Sequence, residues 1–198
     1  MISELQYSSS LTGASFLLYE LKQVIGLKVQ GLKDKEIKQR VTEENLFQYK
    51  YESSIKRSLP SVLRRVNALD ETLYQMLLEE PLETGKIINL YAIMKTDRLF
   101  FEFMDEVIRE KYESNNLLIE TKDINLYFTV KAEQNNKVAG FTEKTVAKLK
   151  QVFYKVLLES GFLKDKKTGE LSRILMDEEL KEYIIRIGDG QYVKAMGL

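Results

Sequence analysis

Proline occurs only twice in the 198 residues of this chain, and glycine occurs ten times. Both residues interrupt helices, so their scarcity leaves long stretches in which a helix can continue. Within those stretches apolar residues recur three and four positions apart, which is the spacing of a helix with one buried face. The sequence therefore predicts a mainly α-helical protein, with enough residues for one ordinary domain or two small ones.

The first half of the chain is predicted to be entirely helical. Pro60 falls inside the third helix, where it predicts a kink or a break. The fifth helix is apolar nearly all round, as is typical of a central buried helix. We expect an N-terminal helical domain of helix-turn-helix type over residues 1–82 and a C-terminal domain over residues 83–198. The five helices are predicted over residues 14–30, 34–45, 53–66, 71–80 and 83–95.

The second half shows a different order of elements. Asp97 is predicted to cap a sixth helix that runs to Glu113. The elements after it are a short strand, a helix, a polar turn, a helix, and two strands around a charged turn, before a last helix. This order predicts a winged helix-turn-helix with a small β-hairpin. The corresponding ranges are 117–119, 121–133, 134–140, 142–160, 162–164, 165–170, 171–176 and 177–187.

The helix over residues 142–160 carries a polar face that predicts contact with double-stranded DNA. In a winged helix this helix lies in the major groove, and the turn of the hairpin touches the phosphates. The N-terminal end of a helix also favours a phosphate. The alternative is an ordinary solvated helix surface. The predicted contacts are Lys144, Lys148, Gln151 and Lys155 on the face, Thr142 and Thr145 at its start, and Lys164, Lys166 and Lys167 in the turn.

The third helix is a second candidate for phosphate contacts. It carries Lys56, Arg57, Arg64 and Arg65, with no acidic residue from position 53 to position 67. The alternative is that these side chains pair with the acidic middle of the same chain. Just before this helix Tyr49 and Tyr51 flank Lys50, and these rings either stack on a base or pack in the protein.

The net charge of zero is a sum of unlike regions. The segment from Lys137 to Lys167 contains eight lysines and three acidic residues. The segment from Asp70 to Glu120 contains twelve acidic and five basic residues. A basic surface is therefore compatible with the balance of 30 basic and 30 acidic residues.

The composition excludes several kinds of chemistry. The chain has no His and no Cys, so disulfides, thiolate nucleophiles, His bases and Cys/His zinc sites are impossible. Glu120-Thr121-Lys122 matches half of a nuclease site, but no strand with an Asp precedes it. We expect no enzyme, no cofactor and no metal. A spanning segment and a signal peptide are also missing from the sequence, so we expect a cytoplasmic protein.

Several segments resemble the BrxA family of BREX bacteriophage-exclusion systems. The resemblance depends on the order and spacing of the segments across most of the chain, and none of them is a catalytic motif. The segments are 7–15 (YSSSLTGAS), 31–37 (GLKDKEI), 44–47 (ENLF), the pair Arg64-Arg65, 105–112 (DEVIREKY) and 142–163, which ends in LLESGFL.

The resemblance implies a mostly helical, non-enzymatic part of an antiviral defence system that also contains a DNA methyltransferase and an ATPase. It implies a fold likened to the NusB antitermination factor, and DNA binding has been proposed for the family. We therefore expect a double-stranded DNA-binding component. The alternatives are a scaffold that docks other BREX proteins and NusB-like RNA binding.

Overall fold

Helices make up most of the protein in the computed structural model, which describes residues 5–198. The first four residues, which belong to the N-terminal stretch where a signal peptide would lie, are outside this range. No described helix is long and apolar enough to cross a membrane. After a 3-10 helix, Ser10–Gly13, the α-helices are α1 Leu18–Val29, α2 Asp34–Glu43, α3 Glu52–Val66, α4 Glu71–Glu79, α5 Leu82–Thr96, α6 Arg98–Phe103, α7 Arg109–Glu113, α8 Thr121–Gln134, α9 Asn136–Ala139, α10 Glu143–Glu159, α11 Glu178–Arg186 and α12 Gly190–Ala195.

Helix α5 lies at the centre of the fold, as its apolar sequence predicts. Nine of its residues are buried, including all eight from Ile87 to Met94. It contacts α1, α3, α4, α6 and α12. The division of the chain near residue 82 stays a prediction. Helix α5, which follows that position, packs against helices from both predicted parts.

Helix α3 continues through Pro60 over 15 residues, so of the predicted kink or break the break is wrong. The ring of Pro60 is exposed, while Ile55, Leu59 and Val62 on the opposite face are buried. Burial of an apolar side chain contributes about 1.5–3 kcal/mol, so three such residues outweigh the roughly 3 kcal/mol cost of an interior proline.

A π-helical segment, Met104–Ile108, lies between α6 and α7 in the region predicted as one continuous helix. The predicted start is confirmed, because the Asp97 side chain accepts a hydrogen bond from the Phe100 amide at 2.9 Å. The extra residue in the π turn was not visible in the apolar spacing. Such segments are frequent at functional sites.

The predicted β-hairpin is wrong. The described residues contain no strand in this region, but two isolated antiparallel bridges, Leu118 with Glu170 and Leu163 with Leu171. Around Leu163 the pairing consists of two backbone hydrogen bonds, from the Lys164 amide to the Glu170 carbonyl and from the Ser172 amide to the Phe162 carbonyl, both 2.9 Å, and these enclose a single bridge. The winged form of the motif is therefore not present, although α8 and α10 do pack together, with the rings of Phe128 and Phe153 5.5 Å apart.

Two short helices were not predicted. Helix α9 occupies the region expected as a polar turn, and α12 follows the last predicted helix. Both are six residues long or shorter, so neither contains enough turns for helical spacing to become visible in the sequence.

Candidate nucleic-acid interface

Helix α10 presents the predicted basic face to solvent. Thr142 caps the helix, since its hydroxyl oxygen accepts a hydrogen bond from the Thr145 amide at 3.2 Å. The apolar stripe of Leu149, Val152, Phe153, Val156 and Leu157 is buried in the core. Burial of this stripe leaves the opposite face outward. The exposed residues there include Lys144, Lys148, Gln151 and Lys155, together with Glu143, Ala147 and Leu158.

The turn over residues 165–169 is held rigidly beside α8. The Asp165 side chain accepts hydrogen bonds from the amides of Lys167 and Thr168, at 2.6 and 3.0 Å. Gly169 has φ of +72°, and a methyl group there would overlap the carbonyl oxygen of Ile119. Only glycine meets both demands. Lys164, Lys166 and Lys167 are all exposed on this turn.

The lysines differ in how far neighbouring acids neutralise them. Lys155 lies 3.7 Å from Glu159, and Lys164 pairs with Glu170. Burial raises the pKa of Glu159, while the charges of Lys155 and Lys166 act to lower it. Within residues 5–198, no ion pair involves Lys144, Lys148, Lys166 or Lys167, so these four charges remain open to a ligand.

Lys122 also belongs to this surface, although its position in the sequence does not predict this. Lys122, Lys166 and Lys167 line one cleft of about 420 Å³ between the turn and the start of α8. Glu120 lies in the same cleft and pairs with Lys122 at 2.6 Å. Residues 122 and 166 are far apart in the chain, so no linear spacing could have brought them together.

The basic residues of α3 differ in their surroundings. Lys56 pairs with Glu52 at 2.6 Å, whereas Arg57 and Arg64 are exposed. Arg57 lines a cleft beside Tyr51, and Arg64 lines a separate cleft beside Asn67. Arg57 and Arg64 are seven positions apart on one helix, so they lie on the same side of α3, about two turns apart.

Arg65 is not a DNA-binding residue, which corrects the prediction made for it. Its side chain is 2% exposed, and its guanidinium donates hydrogen bonds to the carbonyls of Ala14, Ser15 and Phe16, each at 2.7 Å. Burial lowers the pKa of Arg65 to about 10, so it stays charged at neutral pH. Its role is to fasten the N-terminal segment to α3.

The acidic side chains of the described residues are spread over the structure rather than gathered at one point. None of their acidic side chains form a group of three or more that could hold a metal ion. Glu120 and Lys122, the half nuclease motif, pair with each other at the start of α8.

These features define a class of protein, small and mainly helical, that exposes basic side chains on one long helix and on the turn beside it. The sequence-family model for BrxA matches residues 5–188, and the chain belongs to the BrxA family.

Two relatives carry the family's name, and one solved structure shares the fold. The BREX protein BrxA of Bacillus cereus is 40% identical over 98% of this chain and 97% of its own length. The BREX protein BrxA of Paramagnetospirillum magneticum is 23% identical over 97% and 96%. A crystal structure of an uncharacterized protein from Magnetospirillum magneticum has the same fold, with a TM-score of 0.86, 21% identity, and coverage of 97% and 98%.

Proposed function

We propose that this protein is a non-enzymatic, double-stranded DNA-binding component of a BREX phage-defence system, acting in the cytoplasm with other BREX proteins. The observation that carries the proposal is the exposed face of α10, where Lys144, Lys148, Gln151 and Lys155 lie in one row. The relatives that are named BREX proteins supply the biological setting.

The charge distribution favours a phosphate backbone as the ligand. Lysine side chains on one face neutralise phosphates and release their counterions, which makes binding strongly dependent on salt. The turn with Lys166 and Lys167 extends the same surface, and the remaining predicted contacts are Thr142, Thr145, Lys164, Lys56, Arg57 and Arg64. A net charge of zero indicates modest affinity with little sequence preference.

The test is duplex binding by the purified protein at two salt concentrations, measured by gel shift. Replacing two lysines, in the double variant Lys144→Ala with Lys148→Ala, removes two phosphate contacts. We expect a weaker complex and a salt slope that is smaller by about two.

A matched control is Lys181→Ala with Lys194→Ala, which removes the same charge from α11 and α12. Equal losses in both double variants would show that only net charge matters. Unchanged binding and salt slope in the α10 variant would show that this surface is the wrong one. Competition of the duplex by an RNA of equal length would favour NusB-like RNA binding instead.

A second candidate function is a scaffold for other BREX proteins. A groove of about 340 Å³ separates the π-helical segment and α7 from α8. Leu126 lies in it with 65% of its surface exposed, beside Val107 and Val130. Glu110 lies along its edge, together with Glu106, which pairs with Lys131. An apolar floor with an acidic edge suits a basic amphipathic segment of a partner.

Leu126→Asp should abolish co-purification with BREX components expressed together with this protein, while duplex binding stays unchanged. The reason is that a charge in the groove floor prevents an apolar partner side chain from being buried there. Co-purification that survives in the Leu126→Asp variant would rule out this groove.

A further inference from the structure

The connector between α2 and α3 contains two tyrosines, Tyr49 and Tyr51, on either side of Lys50, and the structure gives them different surroundings. The Asn45 side chain accepts a hydrogen bond from the Tyr49 amide and donates one to the Tyr49 carbonyl, both at 3.0 Å. Tyr49 then turns inward, where its hydroxyl donates to Glu20 at 2.6 Å and its ring packs edge-on against Phe47. Tyr49 is a packing residue.

Tyr51, two positions further along, has the opposite environment. Its side chain is 60% exposed at the start of α3. The Lys50 ammonium lies 5.2 Å from the centre of its ring. The contact with Lys50 leaves most of the Tyr51 ring exposed, so one aromatic face stays available to a flat ligand, next to a positive charge.

A cleft of about 320 Å³ lies next to Tyr51, and its lining carries positive charge without negative charge. Lys50, Arg57 and Ser54 line it, and no acidic residue does. The nearest acid along the chain, Glu52, already pairs with Lys56.

Gly13 makes room for Arg57 at the back of this cleft. A methyl group on Gly13 would lie 3.1 Å from Cγ and 3.3 Å from Cδ of Arg57. The arginine stem therefore lies directly against the 3-10 helix, which reduces the freedom of its guanidinium. Within residues 5–198, Arg57 makes no ion pair, so its charge is not neutralised by the protein itself.

We propose that Tyr51, Lys50 and Arg57 form a binding site for one unpaired nucleotide, whose base stacks on Tyr51 and whose phosphate pairs with Lys50 and Arg57. Every base has a flat aromatic face, so stacking of this kind tolerates any sequence. An arginine matches the geometry of a phosphate with two parallel hydrogen bonds. The site goes beyond duplex binding by α10, because a paired base is not free to stack on a side chain.

The chain has no tryptophan, so a single one at position 51 gives a specific reporter. In the variant Tyr51→Trp, stacking of a base on the indole should quench its fluorescence. The probe is a dodecamer of deoxythymidine, titrated at low salt. The control variant is Tyr183→Trp, which places the reporter on another aromatic that lies beside a cation, Arg186.

We expect saturable quenching of the tryptophan at position 51 and none at position 183. Binding of the dodecamer, measured by fluorescence anisotropy, should weaken about tenfold or more in Tyr51→Ala. Tyr51→Phe keeps the ring and should retain the affinity. Arg57→Ala should weaken binding and lower its salt slope by about one.

Several outcomes would overturn the site. These are no quenching at position 51, equal binding by wild type and Tyr51→Ala, or equal quenching by a blunt duplex of the same length. Weakening of dodecamer binding by Arg57→Ala but not by Tyr51→Ala would show that the site recognises only the charge of an anion, and would equally reject a nucleotide site.

The source of the nucleotide is decided by a second probe, a dodecamer of uridine. Quenching by the DNA strand alone, the RNA strand alone or both supports the site and identifies the nucleic acid. The double variant Lys144→Ala with Lys148→Ala separates this site from the α10 surface. In a Tyr51→Trp background this double variant should lose duplex binding but retain quenching by the single strand. The proposal for α10 and the proposal for Tyr51 are therefore tested independently.

Discussion

Arg64 is exposed to solvent, whereas the guanidinium of the next residue, Arg65, is buried against three main-chain carbonyls. The two side chains point in different directions because neighbouring residues on a helix are separated by about 100°. Asn89 on α5 donates to one of the same carbonyls, that of Phe16, at 2.7 Å. Arg65 and Asn89 therefore hold the segment before α1 in place, and Arg64 remains available for binding.

Asp97 gives a prediction at the residue scale. Burial raises the pKa of this carboxyl from 3.8 to about 6, against the opposing effect of its hydrogen bond from the Phe100 amide. The folded protein therefore holds a proton between about pH 4 and pH 6 that the unfolded chain releases. Asp97 consequently lowers stability as the pH rises through this window, and the full cost is present above pH 6.

Asp97→Asn should remove this dependence while keeping an acceptor for the Phe100 amide. We expect the variant to exceed wild type by roughly 2 kcal/mol at pH 7, with the difference shrinking towards pH 4. Urea unfolding followed by circular dichroism at several pH values measures the difference. A variant that is less stable than wild type at every pH would contradict this account.

At the scale of elements, long helices agreed with their apolar spacing and short elements did not. Helices α5 and α10 present many turns, so each buried residue adds to one consistent pattern. The π-helical segment and the two isolated bridges each depend on only a few residues. Their conformation follows from neighbours such as Ile119, whose carbonyl oxygen approaches Gly169, rather than from their own sequence.

At the scale of the whole molecule, the buried side chains from Tyr7 to Met196 form one continuous apolar cluster. The C-terminal helix α12 completes it, because the Tyr192 ring packs edge-on against Tyr91 of α5, 5.3 Å away. Lys95 at the end of α5 also pairs with Asp189 at 2.8 Å. The two parts of the chain are thus joined through α5.

We therefore expect a single cooperative unfolding transition, because neither part keeps a complete core without α5. Urea unfolding of the Tyr51→Trp and Tyr183→Trp variants reports on the two parts separately. Their fluorescence midpoints should coincide with each other and with the midpoint from circular dichroism. Two separated transitions would instead support independent domains divided near residue 82.

The sequence by itself determined the helical class, the cap at Asp97, the exposed face of α10 and the absence of His and Cys chemistry. These properties depend on local spacing and on composition, which the linear chain contains in full. The tertiary structure alone decided that Arg65 is buried, that Tyr49 is half-buried while Tyr51 is exposed and that Lys122 joins the basic turn. Those outcomes depend on contacts between residues far apart in the chain. A local sequence pattern contains no information about the free energies of such contacts.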